Sequence, residues 1–471
     1  MKSILTWGIA LGMLVSIRAQ DFYFGADLSY VNEMEDCGVV YRENEQPKDP
    51  YAIFADHGCN LVRLRLWHTP SWYDDLNSGQ RYSDFADVRR SIVRAKAAGM
   101  DVLLDFHLSD LWADPSRQIA PAAWQSVLDD WNVLGDSVYH YVYQTLTALS
   151  ADDLLPEMVQ IGNETNRGIL LSPEVNDAGW TLDWDRNTLL FNRAISAVRD
   201  VESAVGQPIK VALHLAGPAN ATWFVDNFVA NGVTDFDVIG MSYYWAWHMP
   251  TTIAETGDVI AAFRQNYPDK EVIIFETGYI WTTDHNDDAA NIISAVHPDY
   301  APASPQAQRA WLEDLTQEVI NSGGSGVIYW EPAWVSSDCW TLWGHGSHQE
   351  HATFFDFSNN LIEEGGIAWM SADYDFTVST TEIAAGPQFA FRVWVDSTHT
   401  RLHIALPEDQ RQADYTATLI HLDGARLQET ALAAGQAEYQ LALPELSSGL
   451  YFLVLSNQGR VVGKEKVVIV K

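Results

Sequence analysis

Two glutamates, Glu164 and Glu276, each follow a short apolar run in a position suited to acid–base or nucleophilic chemistry. In EMVQIGNETNRGIL the strand-like residues 158–161 end at Gly162, and Asn163 and Glu164 follow side by side. Glu276 ends a second apolar run, EVIIFETG. If the two carboxyl groups face each other, one can protonate a leaving oxygen while the other attacks an anomeric carbon, which is the chemistry of glycoside hydrolysis. No Ser–His or Cys–His arrangement and no zinc motif suggests a different reaction.

Neighbouring side chains can give the two carboxyl groups different roles. Apolar and aromatic surroundings would raise the pKa of Glu164, and Asn163 can hydrogen-bond the sugar hydroxyl beside the reacting carbon. Donors from Tyr243 or Tyr244 and from Arg65 could keep the facing carboxylate ionised and oriented. We therefore predict that Glu164 is the acid/base and that the second glutamate is the nucleophile.

Eight strand-like segments alternate with amphipathic helical segments. The strand candidates are FYFGADLSY, NLVRLRLW, MDVLLDFHLSD, EMVQIGNE, IKVALHLAG, FDVIGMSYY, EVIIFETG and GVIYWEP. In the helical segment FADVRRSIVRAKAAGM, Val88, Ile92 and Ala95 share one face. The alternation predicts an α/β fold, a (β/α)8 TIM barrel, over residues 20–372. A doubly wound open sheet would usually carry a glycine-rich phosphate turn after its first strand, where this chain has GADLSYVNEM.

A barrel gathers the carboxyl ends of its strands on one face, where barrel enzymes hold their active sites. Almost every predicted strand here ends in a polar or aromatic side chain. One of them alone, such as His107 or His214, could be a structural polar group, but a barrel built only for stability does not need so many. Besides the two glutamates, the predicted site draws on Asp27, Arg65, Trp67, His107, Asp110, Asn163, His214, Tyr243, Tyr244, Trp330 and Glu331.

Six segments make residues 22–372 resemble glycoside hydrolase family 53, the endo-β-1,4-galactanases of clan A. They are GADLSYV, VRLRLW, GNETNRGIL, MSYYWAW, FETGY and ATFFDF, in this order. The resemblance implies that Glu164 is the acid/base and Glu276 the nucleophile, in agreement with the argument from the residues. It also implies cleavage of internal β-1,4-galactosidic bonds in the galactan side chains of pectin, with retention of configuration and no cofactor for catalysis. Retention would place the two carboxyl groups about 5–5.5 Å apart.

The chain has 19 tryptophans, many of them in predicted loops. Aromatic faces suit the apolar face of galactose, although each tryptophan alone could equally belong to the core. The cluster in YYWAWH is the strongest candidate for a sugar-binding surface. The predicted sugar platforms are Trp67, Trp112, Trp245, Trp247, Trp281 and Trp334.

Two other functions remain compatible with these patterns. Another retaining clan A enzyme, such as a mannanase or a xylanase, would share both glutamates and differ in its loops, and the segments YYWAWH and EPAWVSS disfavour it. A carbohydrate-binding barrel without activity would usually have lost one of the two carboxylates, and this chain retains both.

The loop WTTDHNDDAAN after the seventh strand carries alternating oxygen ligands at Asp284, Asn286 and Asp288. This spacing can wrap a calcium ion, although the glycine and distal glutamate of an EF-hand are absent. The resemblance implies a structural calcium shared with the loop after the eighth strand, where Asp338 lies. A solvated acidic loop explains the pattern equally well, and a calcium ion here would not take part in the chemistry.

Composition restricts the partners. The 63 acidic and 28 basic residues give a formal charge of −35, which argues against nucleic acid and anionic lipid. A neutral polysaccharide needs no basic groove, so β-1,4-galactan remains compatible. Nothing in the sequence suggests an obligate oligomer, and we expect a monomer. Of the three cysteines, Cys37, Cys59 and Cys339, one pair could form a disulfide bond.

The amino terminus MKSILTWGIALGMLVSIRAQ has the form of a secretory signal. Lys2 precedes an apolar segment too short to span a bilayer, and Ala19 offers a cleavage site. We expect residues 1–19 to be removed and the protein to be secreted or held at the cell surface, with no membrane span.

Residues 373–471 contain short alternating strands and no amphipathic helices, which predicts a small all-β sandwich. The ending LSSGLYFLVLSNQGRVVGKEKVVIVK resembles the sorting domain that the type IX secretion machinery reads. A galactan-binding module and an inert spacer are the alternatives, and the aromatic face typical of a binding module is sparse here.

Overall fold

The structure is a computed structural model that describes residues 22–178 and 182–376 and, further on, 391–396, 400–407, 410–421, 426–443, 446, 449–457 and 460–469. The predicted signal segment 1–19 lies outside the described residues. The chain divides near residue 378 into two compact units.

Eight parallel strands close into a barrel in chain order, and the eighth strand pairs with the first. This confirms the predicted TIM barrel. The strands are β1 (Tyr23–Asp27), β2 (Leu61–Leu66), β3 (Asp101–Phe106), β4 (Met158–Ile161), β5 (Lys210–Leu215), β6 (Val238–Ser242), β7 (Glu271–Thr277) and β8 (Gly326–Tyr329). Outside the barrel, Arg42–Glu43 pairs with Gln46–Pro47, and Trp340–Thr341 pairs with Gly344–His345.

Helices connect the strands and cover the outside of the barrel. The described α-helices are α1 (Val31–Asp36), α2 (Pro50–Asp56), α3 (Phe85–Ala97), α4 (Trp131–Ala151), α5 (Pro173–Asp177), α6 (Trp184–Val205), α7 (Ala221–Ala230), α8 (Trp245–His248), α9 (Ile253–Asn266) and α10 (Pro305–Asn321). Short 3-10 turns lie at Ser71–Asp75, Asn77–Gly79, Ala122–Val127, Pro298–Tyr300, Glu350–Ala352 and Gly366–Ser371.

Local sequence explains where these helices begin and which side they bury. The side chains of Asp84, Asp130 and Asp183 accept hydrogen bonds from backbone N–H groups in the first turns of α3, α4 and α6. The face of α3 predicted from its periodicity, which includes Val88 and Ile92, is buried.

The barrel interior changes from apolar to polar along its axis. Side chains two residues apart on a strand point to the same side, so each strand contributes successive layers to the interior. The apolar layer contains Leu61, Leu103, Met158, Ala212, Val238, Ile273, Phe275 and Ile328. Two residues further along their strands, Arg63, Asp105, Gln160 and His214 are buried together. These four polar side chains form the floor beneath the open, carboxyl-terminal end of the barrel.

The second unit contains two antiparallel sheets. One consists of β9 (Arg392–Val395), β10 (Arg401–Ala405) and β13 (Glu438–Ala442), and the other of β11 (Tyr415–His421), β12 (Arg426–Leu432), β14 (Gly449–Asn457) and β15 (Arg460–Ile469). Side chains from both sheets, such as Ile404 and Leu453, meet in one apolar core. The predicted all-β sandwich is therefore present, and its final two strands pair with each other.

A disulfide bond joins Cys37, which follows α1, to Cys339 in the long loop after β8, across 302 residues. Cys59 is buried and free. None of the described helices is long and apolar enough to cross a membrane.

Candidate active site

The backbone after β4 turns sharply to aim Glu164 across the mouth of the barrel. Gly162 has φ +71°, where a Cβ would lie 2.7 Å from Thr165 Cγ2, so this position needs glycine. Glu164 itself has φ +47°, a left-handed conformation that costs energy for a residue with a side chain and recurs at functional sites. The strained turn leaves Glu164 partly exposed, while Asn163 beside it is 4% exposed.

Glu276, near the end of β7, has a protein donor on each carboxylate oxygen. Arg63 Nη1 lies 2.8 Å from Oε1, and the Tyr244 hydroxyl donates to Oε2 at 3.1 Å. With only 6% of its surface exposed, the carboxylate is held in one orientation. The predicted tyrosine donor is therefore Tyr244. Tyr243 instead donates to the backbone oxygen of Thr251 and lies away from the cleft.

The prediction that Arg65 is the arginine partner of Glu276 was wrong. The partner is Arg63, two residues earlier on β2. Arg65 instead forms an ion pair with Glu331 at 3.0 Å, and its guanidinium lies 4.1 Å from the ring centre of Trp112. Both arginines point to the same side of the strand because they are two residues apart, but it is Arg63 that lies at the height of Glu276.

Arg63 also orders the rest of the polar floor. Its guanidinium contacts Asp27 at 2.8 Å and Asp105 at 3.0 Å, and it donates to Asn163 Oδ1 at 2.7 Å. Asn163 Nδ2 donates to Ala113 O, which leaves its second hydrogen available to a sugar hydroxyl.

The surroundings separate the two glutamates electrostatically. Burial and then the facing carboxylate of Glu276 hold the pKa of Glu164 well above the ordinary range of a glutamate. Burial also raises the pKa of Glu276, but Arg63 is the largest opposing influence, and the Tyr244 hydrogen bond acts in the same direction as Arg63. The group with less stabilisation of its charged form is Glu164, so Glu164 is suited to hold a proton and Glu276 to be ionised.

Both glutamates line one open cleft of about 830 Å³. Its walls are largely aromatic. Trp247 is 48% exposed at the rim and packs 4.3 Å from the ring of Tyr244, whereas Trp334 is nearly buried and stacks 3.9 Å from the ring of Tyr30. The aromatic residues that line the cleft are Trp112, Tyr244, Trp247, Trp330, Trp334 and Trp343.

Sequence comparison assigns a family to this arrangement. A family model described as glycosyl hydrolase family 53 matches residues 23–364, which span the whole barrel and both glutamates. The chain belongs to glycosyl hydrolase family 53. The resemblance read from the six sequence segments is thus confirmed at the level of the family.

Relatives and solved structures of family 53 agree. The chain is 46% identical to an arabinogalactan endo-β-1,4-galactanase of Cellvibrio japonicus, over 79% of this chain and 97% of the relative. It is 34% identical to an endo-β-1,4-galactanase of Bacillus subtilis, over 72% of this chain and 78% of the relative. A solved family 53 catalytic domain from Ignisphaera aggregans superposes with a TM-score of 0.67 at 31% identity, covering 78% of this chain and all of that domain.

Several predicted site residues support the cleft of this family 53 barrel without lining it. Asp27 and His107 belong to the buried polar layer, where His107 Nδ1 bonds to Asp105 at 2.8 Å. Asp110 accepts backbone N–H groups of Thr69 and Ala122 and so shapes a loop. The predicted residues that lie behind or beside the cleft are Asp27, Arg65, Trp67, His107, Asp110, His214, Tyr243, Trp245, Trp281 and Glu331.

The tryptophans that were predicted as sugar platforms but do not line the cleft make other contacts within the protein. Trp67 is fully buried between Arg65, whose guanidinium lies 4.3 Å from its ring, and neighbouring aromatic rings. Trp245 packs against His297, and the Trp281 Nε1–H donates to the backbone oxygen of Glu350. Strand-end position alone did not distinguish these roles.

The sequence prediction missed other residues of the site. Arg63 belongs to the polar floor, and Ser242 is buried beside Glu164. Trp343, Asn291 and His348 line the cleft. Arg63 lies in the strand segment VRLRLW and Ser242 in MSYYWAW. The period-two alternation of these strands could have indicated that both side chains face the barrel interior. Trp343 lies in the loop CWTLWGHGSHQE, which has no periodicity.

The four predicted calcium ligands do not form a metal site among the described residues. No group of three or more His, Cys, Asp or Glu side chains in the described part of the chain is arranged to hold a metal ion. Asp284, Asn286 and Asp288 are exposed, whereas Asp287 turns inward. Asn286, Asp288 and Asp338 nevertheless line one pocket. The calcium site stays a prediction.

Protein groups join the two loops at this place. Asp287 Oδ2 accepts the backbone N–H of Ser347 at 2.7 Å, and Glu350 Oε1 accepts the backbone N–H of Asn286 at 2.9 Å. Each bond runs between the loop after β7 and the loop after β8. These two hydrogen bonds connect the loops directly.

Proposed function

We propose that this family 53 protein is a retaining endo-β-1,4-galactanase that cleaves internal bonds of (arabino)galactan chains, including the side chains of pectin. The observation that carries the proposal is the pair of glutamates in one tryptophan-lined cleft, of which Glu276 alone has Arg63 as an ion-pair partner. The names of the Cellvibrio japonicus and Bacillus subtilis relatives support the choice of galactan.

In the first half-reaction Glu276 attacks the anomeric carbon while Glu164 donates its proton to the departing glycosidic oxygen. The bond from carbon to the leaving oxygen breaks as a glycosyl–Glu276 ester forms. Arg63 and Tyr244 hold the nucleophile, and Asn163 has an N–H free for the hydroxyl beside the reacting carbon. A carboxylate whose two oxygens both have protein donors is better placed to attack directly than to activate a water molecule, which supports retention.

In the second half-reaction Glu164, now ionised, takes a proton from water as the water oxygen attacks the same carbon. The ester to Glu276 breaks, and both glutamates return to their starting states. Acid, base and nucleophile are all carboxyl groups of this chain, so no step needs a metal. Chelation by EDTA is therefore expected to leave kcat unchanged.

The open cleft favours cleavage within a chain. Trp247 and Trp343 line the cleft together with the glutamates and provide apolar faces on which sugar units on either side of the broken bond would bind. The substrate is uncharged, so the net charge of −35 does not oppose its binding.

The test compares wild type, Glu164→Ala and Glu276→Ala on linear β-1,4-galactan, with mannan, xylan and cellulose in parallel. Each substitution should lower kcat by roughly three or more orders of magnitude. Azide should rescue both variants, giving an α-galactosyl azide from Glu276→Ala and a β-galactosyl azide from Glu164→Ala. Activity on another β-1,4-glycan in place of galactan would overturn the substrate, and full activity of both variants would overturn the mechanism.

We also propose that the protein acts outside the cytoplasm as a monomer and that its carboxyl-terminal unit directs export. The support is the signal-like segment 1–19 and the likeness of residues 446–471 to a type IX sorting domain. Deleting residues 446–471 should retain the protein in the periplasm of a host with that machinery. Unchanged export of the deletion variant would contradict the sorting role.

A further inference from the structure

Ser242, the last residue of β6, lies between the carboxyl group of Glu164 and the ring of His214. Its Oγ is 2.6 Å from Glu164 Oε1 and 3.0 Å from His214 Nε2. Ser242 and His214 are both fully buried. Because a hydroxyl group carries one proton, it can donate to only one of these two neighbours at a time.

The contacts of Asn163 place the ring proton of His214 on Nδ1. That nitrogen lies 2.8 Å from Asn163 Oδ1. The Asn163 oxygen is an acceptor, because Arg63 donates to it and because Asn163 Nδ2 donates to the backbone oxygen of Ala113. A donor on His214 is needed to make this short contact favourable.

The other groups near Nδ1 are consistent with that assignment. Gln160 Nε2 also lies 3.1 Å from Nδ1, and its two hydrogens have acceptors at Gly162 O (3.0 Å) and Asn163 Oδ1 (3.1 Å). The backbone N–H of Glu164 approaches Nδ1 only at 3.4 Å. His214 Nε2 is therefore left as an acceptor that faces the serine hydroxyl.

Burial and nearby charged groups affect His214 and Glu164, the two neighbours of Ser242, in different ways. Burial, Arg63 and His107 hold the pKa of His214 well below its usual range, so the ring is neutral. The carboxylates of Glu276 and Asp114 and the guanidinium of Arg63 act on Glu164. The imidazole thus remains an uncharged acceptor while the carboxyl group changes its charge.

We propose that Ser242 is a positioning residue whose hydroxyl turns between His214 Nε2 and Glu164 Oε1 as Glu164 loses and regains its proton. When Glu164 is protonated in the free enzyme, its O–H donates to Ser242 Oγ and Ser242 donates to His214. In the substrate complex the proton lies on Oε2, towards the leaving oxygen, and Ser242 donates to Oε1. When Glu164 is ionised, Ser242 donates to the carboxylate. The hydroxyl only rotates, and no proton passes between the three residues. The inference rests on the proposed role of Glu164 as acid and base, and it explains how one carboxyl group stays in place through both half-reactions.

Replacing Ser242 and replacing His214 should shift the pKa of Glu164 in opposite directions. In Ser242→Ala the carboxylate loses a charge-assisted hydrogen bond and the acid loses a weaker, neutral one, so the pKa of Glu164 rises. In His214→Phe the hydroxyl keeps only the carboxylate as acceptor, so the ionised form is favoured and the pKa falls. A purely structural role for either residue predicts no such opposition.

The experiment is a 13C NMR titration of the full-length enzyme labelled at the glutamate side-chain carboxyl carbon. Glu164 is assigned by the resonance missing in Glu164→Gln. Ser242→Ala should move its midpoint up and His214→Phe should move it down, each by about one pH unit, and Ser242→Thr, which restores the hydroxyl, should return it towards wild type. On substrate, kcat of Ser242→Ala should fall about tenfold, with recovery in Ser242→Thr.

Midpoints that do not move, or that move in the same direction in both variants, would overturn the proposal. If His214→Phe fails to fold, the comparison of Ser242→Ala with Ser242→Thr still decides, because an equal midpoint in these two variants excludes a role for the hydroxyl. The titration needs no substrate. Its outcome is therefore separate from whether galactan is cleaved.

Discussion

Arg63 Nη1 lies 2.8 Å from Glu276 Oε1 and also 2.8 Å from Asp27 Oδ2. The guanidinium, 1% exposed, thus shares one positive charge among the carboxylates of Glu276, Asp27 and Asp105. Asp27 and Asp105 fix the fork geometry of the arginine, and the arginine in turn fixes the carboxylate of Glu276. The orientation of Glu276 therefore depends on residues that do not line the cleft.

Replacing Arg63 with lysine should lower kcat at least a hundredfold, because an ammonium group cannot contact all three carboxylates at once. Arg63 lowers the pKa of Glu276. Its loss should therefore raise that pKa, and because the nucleophile must be ionised, the acidic limb of kcat/KM should move to higher pH.

Arg65→Lys is the control, since Arg65 pairs with Glu331. It should lower the melting temperature without moving that limb. An acidic limb that stays in place in Arg63→Lys would show that Arg63 does not act through Glu276.

Trp343 should contribute to galactan binding, and Trp340 on the same hairpin should not. Trp343 lines the cleft, whereas Trp340 is 53% exposed and stacks on His345 outside it. Trp343→Ala should raise KM for galactan about tenfold with little change in kcat, as expected for the loss of one aromatic platform. Trp340→Ala should change KM less than about twofold. Equal effects of the two substitutions would indicate a disturbance of the whole hairpin.

The disulfide bond should hold this hairpin in place. Cys339 directly precedes Trp340, and its partner Cys37 directly follows α1, the first helix after β1. The double variant Cys37→Ala/Cys339→Ala should lose about 2–4 kcal/mol of unfolding free energy and show a raised KM. Cys59→Ala, which alters a free buried thiol, is the control for removal of a cysteine. An unchanged KM with reduced stability would show that the disulfide stabilises the fold but does not position the cleft.

Glu33 should make the folded state less stable as pH rises. It is fully buried, its carboxyl contacts Tyr73 and Asn77, and burial raises its pKa to about 8. The folded state thus binds a proton that the unfolded state releases near its ordinary pKa of 4.5. The stabilising contribution of this proton is complete below about pH 4.5 and is lost as pH rises to about 8.

The measurement is the free energy of unfolding of Glu33→Gln and wild type at pH 4.5 and at pH 8. The variant cannot ionise at this position, so it should gain about 4 kcal/mol on wild type between the two pH values. Glu35→Gln, on the same helix with a partly exposed carboxyl group, is the matched control. A constant difference between Glu33→Gln and wild type across pH would show that Glu33 is ionised in the fold.

Much of the fold followed from local patterns. Apolar runs that alternate with amphipathic helices predict the barrel because each unit must bury one face against the next. The same patterns placed Glu164 and Glu276 at strand ends, and the parallel closed barrel brings such ends together whatever lies between them. The all-β character of the second unit followed from its short alternating strands.

The details of the site required the tertiary structure. Arg63 and Arg65 share a strand and a face, and the sequence does not reveal which of them reaches the height of β7. Trp343 lies in a long loop positioned by a disulfide bond across 302 residues and not by any periodicity. In the acidic loop after β7, alternate side chains were expected to converge on an ion, but the residue turned inward is Asp287, which accepts a backbone N–H group of Ser347 instead.

By itself the sequence determined the barrel, its family and the two carboxyl groups, because strand periodicity and strand-end position depend only on neighbours along the chain. Only the tertiary structure decided which donors hold Glu276, which tryptophans face the cleft and which hydroxyl touches Glu164. Those relationships depend on the relative stagger of strands and on the course of loops. Both are set by contacts between residues far apart in the chain.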